Sequence, residues 1–194
     1  MIQDNSAKVI IIGDSGVGKT SLVESQVTGD FDVSVPPTVA VATVKTSIQL
    51  KDETVDIKIW DTAGQEQYSS LIPMFSRDSM VCIIVCDISK PDTIAHIDKW
   101  VSILDETEGA RPAIVIAVNK IDLENQVEKT RDDIFQELAP KYTNIIFVSA
   151  LTGENVQELF IVVAKEAAEA LRARPLDTCE RPSLRRQPER PCKC

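Results

Sequence analysis

Apolar runs and helical stripes alternate along this chain, a pattern that predicts an α/β fold built on a mostly parallel sheet. Six runs read as strands: residues 8–13, 41–50, 55–60, 80–87, 113–118 and 144–149. The second and third are separated by the polar stretch Lys51-Asp52-Glu53-Thr54, which reads as a hairpin loop. One antiparallel pair within an otherwise parallel sheet follows. Helices fill the gaps. Ser89-Lys90-Pro91-Asp92 offers an N-cap, a first-turn proline and an acid, and Ile94, Ile97, Val101 and Leu104 follow at helical spacing. A last helix is expected to begin near Thr152, with Val156, Phe160, Val163 and Ala167 on one stripe.

From about Ala173 the pattern stops. Residues 175–194 hold four of the ten prolines and no glycine or aromatic residue. Such a composition buries too little surface to offset ordering entropy, so 173–194 is expected to be a disordered tail behind one domain spanning 1–172. Residues 175–194 carry five cations against three anions, which leaves −11 for the remainder of a chain whose total is −9. An acidic body argues against a general nucleic-acid binder, because affinity for phosphate backbones comes from clustered Lys and Arg. No apolar run is long enough to span a bilayer, and the N-terminus lacks the basic start and cleavage site of a signal peptide. A cytosolic protein with reduced thiols is the expectation. Cys82 and Cys86 share one apolar run at a separation of roughly 13 Å, too far for a disulfide, and read as core residues.

Three short motifs bring in chemistry. Gly13-Asp14-Ser15-Gly16-Val17-Gly18-Lys19-Thr20 fits G-x-x-x-x-G-K-[ST] and sits directly between a buried strand and a helical segment. Its glycines let backbone N–H groups curl around a diphosphate. Lys19 reaches the β/γ-phosphates, and Thr20 offers a hydroxyl to magnesium. In Trp60-Asp61-Thr62-Ala63-Gly64-Gln65-Glu66, Asp61 ends an apolar strand, where a carboxylate can hold a magnesium-bound water. Gly64 lets its N–H approach a γ-phosphate, and Gln65 has the donor and acceptor needed to orient an attacking water. Asn119-Lys120-Ile121-Asp122 follows the fifth strand. Alone it could be an ordinary capping loop. After a phosphate loop it selects guanine, whose N1–H and amino group both donate to a carboxylate such as Asp122.

In order and spacing, these motifs make residues 7–172 resemble the Ras superfamily. The resemblance implies a P-loop G domain: a mostly parallel six-stranded sheet with one antiparallel strand and helices on both faces. It implies GTP/GDP as bound nucleotide with Mg²⁺, and hydrolysis of GTP by in-line water attack. Ser21 then belongs with the phosphate loop, and Phe31 stacks against the base. Thr38 joins Thr20 and Asp61 around the metal and senses the γ-phosphate. Ser149-Ala150-Leu151 closes over the guanine oxygen, with Leu151 where relatives have lysine. Trp60 and the ending Cys192-Lys193-Cys194 resemble the Rab branch, whose Cys-x-Cys tail accepts two geranylgeranyl chains. Residues 68–74 resemble the endosomal Rabs more than the secretory ones.

The resemblance further implies an exchange factor, a GTPase-activating protein, effectors, and prenyl-transfer and membrane-extraction factors as partners. The G domain is expected to be monomeric, to bind no nucleic acid, and to cycle between cytosol and the cytoplasmic face of an intracellular membrane, endosomal by resemblance. No Lys or Arg lies between Thr20 and Lys45, so switch I offers no arginine in cis and turnover should be slow. Val39-Ala40-Val41-Ala42-Thr43 departs from the family's switch I, with Thr43 in place of the effector-facing phenylalanine. A non-hydrolysing GTP-bound scaffold is the alternative, and an ATP-using P-loop kinase or ATPase would share the first motif alone. Cys192 and Cys194 are otherwise lone thiols or half a metal site. His96, the only histidine, reads as a surface or capping residue on a helix.

Overall fold

The computed structural model describes residues 6–29, 42–62, 71–107 and 109–174. Six strands appear where the pattern places them: β1 (Ala7–Ile12), β2 (Ala42–Gln49), β3 (Thr54–Asp61), β4 (Val81–Asp87), β5 (Ala113–Asn119) and β6 (Asn144–Phe147). They form one sheet in the order β2-β3-β1-β4-β5-β6. Among the described residues only the β2–β3 pair is antiparallel; β1 pairs in parallel with β3 and β4, and β5 with β4 and β6. The reason is visible in the side chains. Every residue of β4 is buried, as a central parallel strand covered on both faces requires.

Alternation along β1 divides the core. Val9 and Ile11 face one apolar layer with α1 (Lys19–Thr28) and α6 (Val156–Ala173). Ile10 and Ile12 face the other, with α2 (Ile72–Ser76), α3 (Pro91–Ala95), α4 (Ile97–Asp105) and α5 (Arg131–Leu138). Helices therefore cover both faces. The predicted α6 stripe is buried throughout, and Phe160 is the largest fully buried side chain among the described residues. Cys82 and Cys86 are buried free thiols in the second layer, and burial raises both above the ordinary thiol range.

Three expectations are corrected. The final helix begins at Val156 rather than near Thr152, because Gly153 (φ +77°) and Asn155 (φ +57°) are left-handed and cannot continue a helix. The 91–104 segment is two helices, α3 and α4, meeting at His96, so that histidine lies at a junction rather than within a helix. Ser89 is not the cap of α3. Its N–H and hydroxyl both donate to Asp87 Oδ1, and Thr93 instead donates to Lys90 O.

Candidate nucleotide site

The parallel strands β1, β3, β4 and β5 end along one edge of the sheet, and the candidate residues lie just beyond those ends. Strand β1 delivers the chain into Gly13. A Cβ there would fall 2.2 Å from the Val85 carbonyl oxygen, so the loop presses against β4 in a way only glycine allows (φ +140°). Gly18, at φ +95°, has the same constraint from the other side: a Cβ would sit 2.4 Å from Asn119 Nδ2. Val17 buries its side chain in the core, leaving only its backbone to a ligand, while Ser15 is exposed. Ser21 follows in the first turn of α1.

Lys19 opens α1 and is 5% exposed. Its ammonium arches back over the loop to donate to the carbonyls of Gly13 (2.9 Å) and Asp14 (2.7 Å). Burial lowers its pKa to about 8, against the opposing pull of Asp61 and Asp14. Across from it, Thr20 donates its hydroxyl to Asp61 Oδ2 at 2.6 Å. Asp61 ends β3, and burial raises its pKa, with the Thr20 hydrogen bond opposing. Its other oxygen, Oδ1, is buried and accepts no hydrogen bond among the described residues. A buried carboxylate oxygen left over beside a hydroxyl fits a divalent cation held by hard oxygen donors. Thr62 pins the strand end by donating to the Ile11 carbonyl at 2.8 Å.

The base-side motif is tied to the phosphate loop. Asn119, 1% exposed, donates from Nδ2 to Val17 O (2.8 Å) and accepts at Oδ1 from the Ala150 N–H (3.1 Å). One carboxamide thus joins the phosphate loop, the end of β5 and the 149–151 loop. Lys120, left-handed at φ +64°, donates to Gly16 O at 2.8 Å. Asp122 stands in the 3₁₀ turn Ile121–Gln126 and accepts at 2.5 Å from the Ser149 hydroxyl. That hydroxyl in turn accepts from the Thr152 N–H. Leu151 is 52% exposed at the rim.

Phe31, Thr38, Gly64 and Gln65 lie outside the described residues, as do Cys192 and Cys194. The structure adds three residues that the motifs do not contain. Asp87, fully buried at the end of β4, holds the Lys120 ammonium at 2.7 Å. A carboxylate closing the continuous apolar run Val81–Cys86 was the available signal. Asp14 accepts hydrogen bonds from His96 Nδ1 (2.6 Å) and Trp100 Nε1 (2.8 Å). His96 is the cap residue between α3 and α4 with its side chain 39% exposed, as expected, but nothing in the linear order pairs residue 14 with residues 96 and 100.

A glycine loop between a strand and a helix, at the C-terminal edge of a mostly parallel sheet, defines a phosphate-loop nucleotide-binding domain. Residues 8–169 match the model of the Ras family. The chain is 35% identical to the Ras-related protein Rab5 of Nicotiana tabacum, over 85% of this chain and 82% of that protein. It is 35% identical to the mouse Ras-related protein Rab-22A, over 95% and 94%. To the Ras-related protein RHN1 of Nicotiana plumbaginifolia it is 36% identical, over 85% and 82%. The chain belongs to the Ras family as a Rab-like small GTPase.

Proposed function

We propose that this chain binds GDP and GTP with Mg²⁺, hydrolyses GTP slowly, and acts as a membrane-anchored switch in vesicle traffic. The observation that supports the nucleotide assignment is the Asn119 carboxamide, which ties Val17 of the glycine loop to Ala150 and so joins the two motifs read as holding phosphate and base. Asp122, which accepts from the Ser149 hydroxyl, would also accept from guanine N1–H and the amino group. Adenine offers a carboxylate no such pair of donors.

The loop amides and Lys19 stabilise charge on the transferring phosphoryl oxygens, which is where charge develops in phosphoryl transfer. Thr20, Asp61 and Thr38 would hold the magnesium ion, which when bound neutralises phosphate charge. Gln65 orients the attacking water in line with the leaving oxygen, and Gly64 donates its N–H to the γ-phosphate. Absence of an arginine between Thr20 and Lys45 leaves a role for a partner's arginine, worth roughly 10³–10⁵ in rate. Contacts of Thr38 and Gly64 with the γ-phosphate would order the switch loops in the GTP form and release them after hydrolysis.

Two lipid chains on Cys192 and Cys194 give stable anchoring where one would be marginal. Among the described residues no helix is long and apolar enough to cross a membrane. The relatives named Rab5 and Rab-22A support an endosomal membrane, with exchange, activating, effector, prenyl-transfer and extraction factors as partners. Because Thr43 stands where the family has its effector-facing phenylalanine, effector identity is not carried over from relatives. Thr43 pairs with Trp60 across the β2–β3 ladder, and the Trp60 ring packs 6.2 Å from Phe75 beneath the ammonium groups of Lys8 and Lys58.

The test is to load the full chain with GTP and Mg²⁺ and follow the bound nucleotide by chromatography, with Gln65→Leu beside it. Slow conversion to GDP, suppressed in the variant, supports the hydrolytic switch. Persistent GTP in both proteins would favour a non-hydrolysing scaffold, and failure to retain guanine nucleotide would remove the reading.

A further inference from the structure

Asp14 places a carboxylate inside a loop built to hold phosphate, and like charges at such range repel. The structure shows how that group is handled. Its side chain is turned into the protein, 13% exposed, and each oxygen has its own donor: Trp100 Nε1 to Oδ1 and His96 Nδ1 to Oδ2. A carboxylate only accepts, so Nδ1 carries the proton in this pair. The two donors are four residues apart. Trp100 N–H donates to His96 O and His96 N–H to Asp92 O, so helical bonding runs through the α3–α4 junction and sets both rings on one side of one turn. Trp100 is 3% exposed in the apolar layer with Ile97 and Leu104, a fixed anchor.

We propose that His96 is a positioning residue for the phosphate loop. With Trp100 it holds the Asp14 carboxylate away from the phosphates, so that the loop's amides rather than its negative charge face the nucleotide. The same contact couples the loop to α4. Helix α4 is followed by Thr107, whose hydroxyl meets the Ser76 hydroxyl of α2 at 3.0 Å, so the tether reaches the helix that follows the Asp61 motif. Without His96, Oδ2 loses its donor and the carboxylate is free to turn toward the anion. Nucleotide then leaves faster.

This inference rests on the nucleotide-binding reading above, and the experiment separates the two. The full chain is loaded with a fluorescent N-methylanthraniloyl-GDP and Mg²⁺, and release is followed after adding excess GDP. Proteins compared are the wild type, His96→Ala, His96→Asn, Asp14→Ala and the Asp14→Ala/His96→Ala double variant. His96→Ala should release about tenfold faster, the order expected for losing one charge-assisted hydrogen bond. His96→Asn keeps a donor at the place of Nδ1 and should stay within about threefold of wild type. In the Asp14→Ala background, His96→Ala should add nothing, because its partner is already gone. An equal effect of His96→Ala in both backgrounds, or no rescue by asparagine, overturns the proposal. If the wild type retains no guanine nucleotide, the functional reading fails, yet the contact is still read from the Trp100 indole N–H resonance, assigned with Trp60→Phe. That resonance moves in His96→Ala if Asp14 is released, and stays in place if His96 does not hold it.

Discussion

The Lys120 ammonium lies 2.7 Å from Asp87 Oδ2 and also donates to Gly16 O at 2.8 Å, so one side chain joins the ends of β4 and β5 to the phosphate loop. The pair is asymmetric: Asp87 is fully enclosed, whereas about a third of the Lys120 side chain meets solvent. Removing the cation strands a buried carboxylate, while removing the acid leaves a cation that can still reach water.

Lys120→Met should therefore cost more stability than Asp87→Asn. Breaking a fully buried pair costs about 3–5 kcal/mol, and partial exposure of Lys120 reduces this to about 2–3 kcal/mol. In a chain of this size that lowers the melting midpoint by about 4–12 °C. Thermal melts of the two variants decide it, and equal losses would contradict the asymmetry.

The three loop glycines should not be equivalent. An alanine methyl at Gly13 meets a backbone oxygen of β4 that cannot move, and at Gly18 it meets the Asn119 amide nitrogen, which must give way. At Gly16 (φ +74°) nothing lies within 4 Å, leaving only the left-handed strain of about 1–2 kcal/mol. Destabilisation should rank Gly13→Ala first, Gly18→Ala second and Gly16→Ala last. Urea unfolding of the three variants checks the ranking. Gly18→Ala should also impair nucleotide retention through Asn119.

Lys19 predicts a proton coupled to binding. Its pKa is lowered to about 8 without nucleotide. Phosphate oxygens favour the charged form and raise that pKa in the complex. Below about pH 8 the lysine is charged in both states and contributes no pH dependence. Above it, binding takes up a proton and affinity falls as pH rises. Calorimetry of Mg-GDP binding at pH 9, in two buffers of different ionisation enthalpy, should report net uptake; zero uptake would contradict the shift. The nucleotide-free protein should gain stability as pH rises from about 8 toward the ordinary value of 10.5, since the unfolded chain binds the extra proton there.

Asp122→Asn exchanges an acceptor for a donor at the base edge, while the amide oxygen can still accept from Ser149. GDP affinity should fall by at least about a hundredfold, and xanthine nucleotides, with an acceptor where guanine has its amino group, should bind better than guanine. Competition between GDP and XDP against a fluorescent nucleotide reads both. An unchanged base preference would mean that Asp122 does not face the base.

Six strands, one antiparallel pair and the stripe Val156, Phe160, Val163, Ala167 were all legible in the chain order. Burial imposes a period of two on a half-covered strand, continuous apolarity on a central one, and 3.6 on a helix. The glycine loop, Asp61, Asn119 and Asp122 stood out as residue types at fixed short spacing, and the structure gathers them at one edge of the sheet. Local backbone handedness was not. Gly153 and Asn155, both left-handed, delay α6 to Val156. Nor were the long-range pairings. Asp14 with His96 and Trp100, and Asp87 with Lys120, join segments separated by tens of residues. Periodicity and motif spacing are local properties of the chain, whereas which buried charge meets which donor is set only when the sheet brings the ends of β1, β4 and β5 side by side.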